Sequence, residues 1–203
     1  TVRGVPFIYY GEEIGMEQND IPLNQTKDAV AFRFKKYPKF FQKMIQNLTD
    51  HAIHRDNCRT PMQWTEGPHA GFCEKYISPW LPLTESYPSR NVAVEQRDPE
   101  SLLEMYQRFL KIRKSHPALQ IGKIKLLSDE FFPKNILSYT RKYRNDECFI
   151  FLNFLNKIQE VPIPPDLKKP KLEGSTTILT KVLKTANLLT LSPYEGVVFI
   201  NDE

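Results

Sequence analysis

The stretch Val5–Tyr10, VPFIYY, constrains this chain more than any other part of it. Only Pro6 interrupts its apolar character, and it ends abruptly at Gly11 and the carboxylates of Glu12 and Glu13. An apolar run without alternation predicts a strand buried on both faces, the habit of parallel sheets. Such a strand needs neighbours on either side, and no earlier residue supplies them. The expectation is therefore one strand of a larger sheet, in the tail of a longer reading frame. A start on Thr1-Val2-Arg3, with neither an initiator Met nor a signal peptide, fits that expectation.

The remaining composition narrows the class. Of 203 residues, 40% are apolar and 26% charged, the balance of an ordinary globular protein. No apolar stretch approaches the roughly 20 residues that span a bilayer, so no membrane partner is expected. The net charge of +4 is dispersed, and pairs such as Lys35-Lys36 and Lys168-Lys169 are too short for a nucleic-acid surface. Cys58, Cys73 and Cys148 are odd in number and lack metal-ligand spacing, which predicts reduced thiols and a cytoplasmic protein. His51, His54, His69 and His116 form no metal spacing with cysteines or carboxylates and read as loop or surface residues. No phosphate-binding loop and no Ser–His–Asp arrangement is present, so no metal and no cofactor is expected.

Three zones follow one another along the chain. After the opening strand, residues 17–97 are rich in Pro, Asn, aromatic and charged residues, with helical character only over Phe32–Ile45. So long an excursion between regular elements points to function. A clear helix comes next, with Asp98 as N-cap and Pro99 as first residue, apolar positions at helical spacing from Leu102 to Leu110, and a stop at His116-Pro117. Strand, excursion and helix together make a βα unit with an expanded loop. From Leu119, short β-rich runs alternate with turn signals: 123–127, 136–141, 148–154, 176–179, 188–191 and 196–200. That spacing predicts an antiparallel sandwich.

Within the excursion lie HRDNCRTPMQW at His54–Trp64, HAGF at His69–Phe72 and WLP at Trp80–Pro82. Together with IYYGEEIGM these resemble the α-amylase family of glycoside hydrolases, in its α-glucosidase and oligo-1,6-glucosidase branch. The closing helix motif, Tyr106 to Leu119, and a C-terminal LSPYEGVVF extend the likeness. The resemblance implies a (β/α)8 TIM barrel followed by a β-sandwich. Residues 1–118 would be the end of the catalytic barrel, with the eighth strand, a long loop and the eighth helix at 101–116; residues 119–203 would be the C-terminal β-sandwich. In barrel enzymes the C-terminal ends of the strands carry the active site.

Glycoside hydrolysis with retention needs two carboxyls about 5–5.5 Å apart. Glu12 and Glu13 are adjacent, and on a continuing strand their side chains point to opposite faces, so they do not form that pair. The resemblance places the nucleophile, the acid/base and a third aspartate on strands four, five and seven, upstream of Thr1. It also implies that Arg55 reaches the pocket of the non-reducing glucose, paired with an aspartate from an early barrel loop. A guanidinium suits that role, because it forks to a carboxylate and keeps donors for sugar hydroxyls. Arg59 and Glu12 complete the substrate-binding candidates. Arg59 is expected chiefly to brace the loop, and Glu12 to accept rim N–H groups or a cation. Asp56 reads as a turn-former, and Met62, Trp64, Phe72 and Trp80 as packing residues with a sugar contact open to one of them. The stretch EQNDIPLNQTKDAVAFRFKKYPKFF resembles other α-glucosidases of the branch in its IP…KD arrangement, and is expected to line outer subsites.

The implied activity is removal of terminal α-linked glucose from oligosaccharides or disaccharides, the chain by itself lacking the catalytic carboxylates. Transglycosylation or isomerisation would be a close variant. Two alternatives belong to other classes: a non-catalytic glucosidase-like subunit, of the kind that partners amino-acid transporters, and a carbohydrate-binding or interaction module. The exposed eighth strand calls for the rest of a barrel, or for self-association.

Overall fold

The computed structural model describes residues 1–34, 37, 38, 40, 44, 54–127, 132, 133, 135–177, 184, 185 and 187–201. The chain divides into two compact units, one of residues 1–7 with 104–203 and the other of residues 8–103.

Eight strands build the first unit. The run β1 (Lys123–Leu126), β2 (Ile136–Tyr143) and β3 (Asp146–Asn153) continues through β4 (Gln159–Pro162) and β5 (Pro170–Ser175) to β6 (Lys184–Thr185), β7 (Leu188–Leu191) and β8 (Gly196–Asn201). They form a five-stranded sheet in the order β1-β2-β3-β8-β5 and a three-stranded sheet β4-β7-β6. Every pairing is antiparallel. Phe149 and Phe151 of β3 and Val197 and Phe199 of β8 point into one apolar cluster with Val161 of β4 and Leu189 and Leu191 of β7, so both sheets draw on the same core. Phe151 and Phe199 meet edge to face there, 6.2 Å between centroids.

The other face of the large sheet is also covered. Counting helices along the chain as α1 (Ala29–Phe34), α2 (Val92–Glu95), α3 (Leu102–Ser115) and α4 (Pro117–Ile121), it is α3 and α4 that cover it. Ile112, Ala118 and Leu119 pack on Tyr139, Cys148, Ile150 and Val198. Strands β3 and β8 are thus buried on both sides, which is why they read as unbroken apolar runs. Helix α3 comes close at Gly174, where a Cβ would collide with Ile112. Beside it β5 carries a bulge between Leu172 and Gly174.

Several expectations are revised. Helix α3 begins at Leu102, so Asp98 and Pro99 precede it; the Asp98 carboxylate accepts the Glu100 N–H at 2.9 Å in a turn of its own. Strands β4, β5 and β6 are not among the expected runs, and two of them carry proline. Pro162 ends β4 and Pro170 opens β5, and both strands lie at sheet edges, where a missing N–H removes no ladder bond. Of the strand expected at 176–179, residues 176 and 177 lie outside any strand, and 178–179 lie outside the described residues. The helix expected over 32–45 is described only as α1, which ends at Phe34; most of the remainder lies outside the described residues.

The opening stretch forms no ladder: no strand occurs among residues 1–11. Val5 is 77% and Phe7 90% exposed, against the expected burial on both faces. Arginine side chains hold this backbone in place of neighbouring strands. Arg113 donates to the carbonyls of Val2, at 3.0 Å, and Gly4, while the fully buried Arg141 donates to Thr1 at 2.5 Å and to Gly122. Burial, and then the Arg113 charge, pull the Arg141 guanidinium below its usual range.

The second unit contains no sheet among its described residues. Its regular parts are α1, α2 and 3₁₀ turns at Glu12–Ile14, Arg55–Cys58 and Pro68–Gly71. Among its described residues the buried apolar ones are few, Ile14, Ile21, Ala31, Met62, Ala70 and Leu81, and buried polar groups outnumber them. Gln63 Nε2 donates to Thr84, Asn91 Oδ1 caps α2 through the Val94 N–H at 3.0 Å, and the carbonyls of Gln63 and Trp64 accept from Val92 and Ala93 at 3.0 Å. Among the described residues of the whole chain, no helix is long and apolar enough to cross a membrane.

Candidate functional site

The candidate site lies in the second unit and is built on a buried carboxylate. Asp56, 1% exposed, is the second residue of the 3₁₀ turn Arg55–Cys58. Its Oδ2 accepts from Thr26 Oγ1 at 2.6 Å, from the Lys27 N–H at 2.6 Å and from the Asp28 N–H at 3.0 Å. Burial by itself would raise this carboxyl, yet the three donors and the charge of His54 bring it below its usual range. The result is a rigid turn at 26–28, which fixes where Asp28 points.

Asp28 in turn holds Arg55. Its Oδ2 accepts the Arg55 backbone N–H at 3.0 Å and Nε at 3.1 Å, and its Oδ1 faces Nη2 at 3.5 Å. The side chains differ sharply in exposure: Arg55 is 63% exposed and Asp28 1%. The guanidinium therefore leans on a sunken anion, with its outer donors turned to solvent. Hydrogen bonding to Asp28, then the charge of that carboxylate, raise the Arg55 pKa further. Asn57 closes the turn from behind, its Oδ1 accepting from Ile21 at 3.1 Å and its carbonyl from Asn19 at 2.9 Å.

A second feature of the unit is an aromatic groove of about 360 Å³. Arg59 and Glu13 supply its charge, and Tyr10, Met62, Trp64, Phe72 and Trp80 its apolar walls. Trp64, Phe72 and Trp80 are each more than two-fifths exposed. The Arg59 N–H bonds to the Asp56 carbonyl at 3.0 Å, which ties the groove to the turn that carries Arg55. The Tyr10 hydroxyl donates to the Thr60 carbonyl at 2.9 Å, and burial raises its pKa.

The two glutamates serve their own turn. Gly11 and Gly15 adopt positive φ, 90° and 61°, on either side of the 3₁₀ turn Glu12–Ile14. The chain therefore does not continue as a strand through Glu13. Glu12 Oε2 accepts the Tyr9 N–H at 2.9 Å, and Glu13 Oε2 accepts that of Gly11 at 2.8 Å. Asp28 and Thr26 escaped the reading of the sequence. Asp28 lies 27 positions before Arg55, and neither periodicity nor a local motif joins them. The KD pair was the one available signal.

The chain has relatives among known proteins. The family model described as the catalytic domain of alpha amylase matches residues 1–122. An oligo-1,6-glucosidase of Halalkalibacterium halodurans is 31% identical over 98% of the chain and 36% of its own length. The oligo-1,6-glucosidase IMA2 of Saccharomyces cerevisiae is 29% identical over the whole chain and 36% of its length. Among solved structures, a variant of the trehalulose synthase MutB in complex with Tris aligns with a TM-score of 0.80 at 27% identity, covering 98% of this chain and 36% of that one. The chain thus spans about a third of the length of the relatives it matches.

Proposed function

The chain belongs to the α-amylase family, in the company of oligo-1,6-glucosidases and α-glucosidases, and from that premise we propose that it is the C-terminal part of a retaining α-glucosidase-like enzyme. The parent enzyme would release terminal α-linked glucose from oligosaccharides or disaccharides through a glycosyl-enzyme intermediate. The nucleophile and acid/base belong to the part of the parent that these residues do not include. Isomerisation by the same machinery is a close variant, which the likeness to a trehalulose synthase supports.

The Arg55–Asp28 pair carries this reading. A binding arginine must be held in one place and yet present free donors, and the buried Asp28 does the holding. In the parent enzyme its outer N–H groups would meet the hydroxyls of the non-reducing glucose. Arg59 and Glu12 are the supporting contacts: Arg59 from the aromatic groove, Glu12 with the oxygen that its own turn leaves unused.

The two sheets and their shared core are read as the β-sandwich of residues 119–203, and residues 1–118 as the last βα unit of a (β/α)8 barrel. The exposed Val5 and Phe7 would be covered in the parent by neighbouring barrel strands. In their absence they favour self-association, which light scattering of the purified chain tests. Three free cysteines support a reducing, cytoplasmic setting.

The test of function has two arms. Purified residues 1–203 should not hydrolyse p-nitrophenyl α-glucoside, and measurable turnover would sink the assignment of the carboxyls to the missing part. In the parent enzyme Arg55→Ala should lower kcat/KM for the glucoside by at least tenfold. Unchanged kinetics would remove Arg55 from the sugar pocket.

A further inference from the structure

The first unit holds a cluster of metal-ligating groups that no local spacing could reveal. His116 occupies the joint between α3 and α4, its ring turned toward the start of β3. Asp146 and Cys148 stand two apart on that strand and so project from the same face. One donor atom from each of the three lies within 4.8 Å of the others. His116 Nδ1 is 3.0 Å from Asp146 Oδ1, and the second Asp146 oxygen is fixed by the Ala118 N–H at 2.8 Å. On the far side of the ring, Nε2 faces Glu173 Oε2 at 3.6 Å. Glu173 sits at the bulge of β5, between the paired residues Leu172 and Gly174, and bulges re-aim side chains. Cys148 is fully buried, and among the described residues its thiol has no hydrogen-bond partner.

We propose that His116, Asp146 and Cys148 form a binding site for a thiophilic divalent cation of the Zn²⁺ class, with Glu173 orienting the imidazole from behind. One nitrogen, one oxygen and one sulfur are the donor set that Zn²⁺ takes, with water free to fill a fourth position. Bond lengths of about 2.0 Å to nitrogen and 2.3 Å to sulfur put neighbouring donors about 3.5 Å apart in a tetrahedron, so the cluster needs to contract by about 1 Å. A ligating histidine whose far nitrogen meets a carboxylate is the usual way such a ring is held. On binding, the Cys148 thiol gives its proton to solvent, and the His116 Nδ1 lone pair takes the cation while its Nε2 side faces Glu173. Burial, then the carboxylates of Asp146 and Glu173, push the Cys148 thiol up to about 12, so without a cation it keeps its proton. Arg141 works against these two carboxylates at the thiol, and Lys171 Nζ holds the other Glu173 oxygen at 3.2 Å. The site owes nothing to the glycosidase reading and stands or falls separately.

Chelator-treated protein titrated with Co²⁺ tests it. The expected result is a near-ultraviolet sulfur-to-cobalt charge-transfer band with the visible bands of a four-coordinate ion, saturating at a single equivalent and displaced by Zn²⁺. Cys148→Ser should abolish the charge-transfer band, Glu173→Gln should weaken binding about 10–100-fold, and a Cys58→Ser, Cys73→Ser double variant should keep the band. Since Cys148 is a core residue, the melting temperature of the unsubstituted protein is followed alongside; it should rise with Zn²⁺ and return with EDTA. No band, a band surviving Cys148→Ser, a band lost in the double variant, or a melting temperature indifferent to Zn²⁺ would each overturn the proposal.

Discussion

The two units are stabilised by different means. Residues 104–203 bury Phe149, Phe151, Val197 and Phe199 in a sheet covered on both sides, so many apolar contacts share the stabilisation. Residues 8–103 bury Asp56, Asn57, Gln63 and Asn91 instead; Asp56, Asn57 and Asn91 each bind backbone N–H groups, and Gln63 Nε2 binds the Thr84 hydroxyl. Apolar burial is proportional to area and degrades gradually. A buried polar web is nearly all or nothing, because the loss of one partner leaves the others unpaired at a cost of about 1–3 kcal/mol each. The difference suits the tasks: a scaffold tolerates slack, whereas a turn that aims Arg55 does not.

The largest effect that could break this comparison is in the sheet core. Phe149→Ala should lower stability by about 3–5 kcal/mol in chemical denaturation followed by near-UV circular dichroism; a loss below about 1 kcal/mol would show that the β unit does not rest on this cluster. Asp56→Ala comes next. Removing the acceptor of the Thr26 hydroxyl and the Lys27 N–H, while the Asp28 N–H keeps Thr26 Oγ1 at 3.1 Å, should cost about 2–4 kcal/mol, localised to residues 8–103. Limited proteolysis should cut there first and leave the β unit whole, and simultaneous loss of both would erase the distinction. Gly174→Ala, which drives a methyl into Ile112, should cost about 1–3 kcal/mol.

Acid offers a gentler probe. The Asp56 carboxyl is depressed in the fold, so its contribution is complete above the ordinary aspartate value of about 3.9 and fades as pH falls through the lower folded value. Below pH 4 the second unit should open to protease before the first. Smallest of all, Arg55→Lys should leave the melting temperature unmoved, since this side chain is largely exposed. Any cost of that change belongs in sugar binding by the parent enzyme.

What the sequence disclosed follows the same division. Strands β1, β2, β3, β7 and β8 were legible, β3 and β8 most plainly because strands covered on both faces must be apolar. Strands β4, β5 and β6 were not, because short edge strands owe their pairing to neighbours and tolerate proline. The opening stretch shows the limit from the other side: VPFIYY has the composition of a buried strand, but a strand needs a ladder, and composition does not supply one. In the site, Arg55 was visible through its motif. Asp28 was not, because its place depends on a turn clamped by Asp56 from about thirty residues away. His116, Asp146 and Cys148 were hidden for the same reason.

The margins of the large sheet have a consequence for how this protein meets its own copies. One margin, β1, alternates Lys123 and Lys125 with apolar residues, and the other, β5, opens on Pro170 and Lys171. Lysine charge repels an incoming strand, and proline removes a donor such a strand would need. The sheet is thereby guarded against growing edge to edge into larger aggregates, however concentrated the protein becomes. Exposed apolar side chains such as Val5 and Phe7 lie outside those two margins.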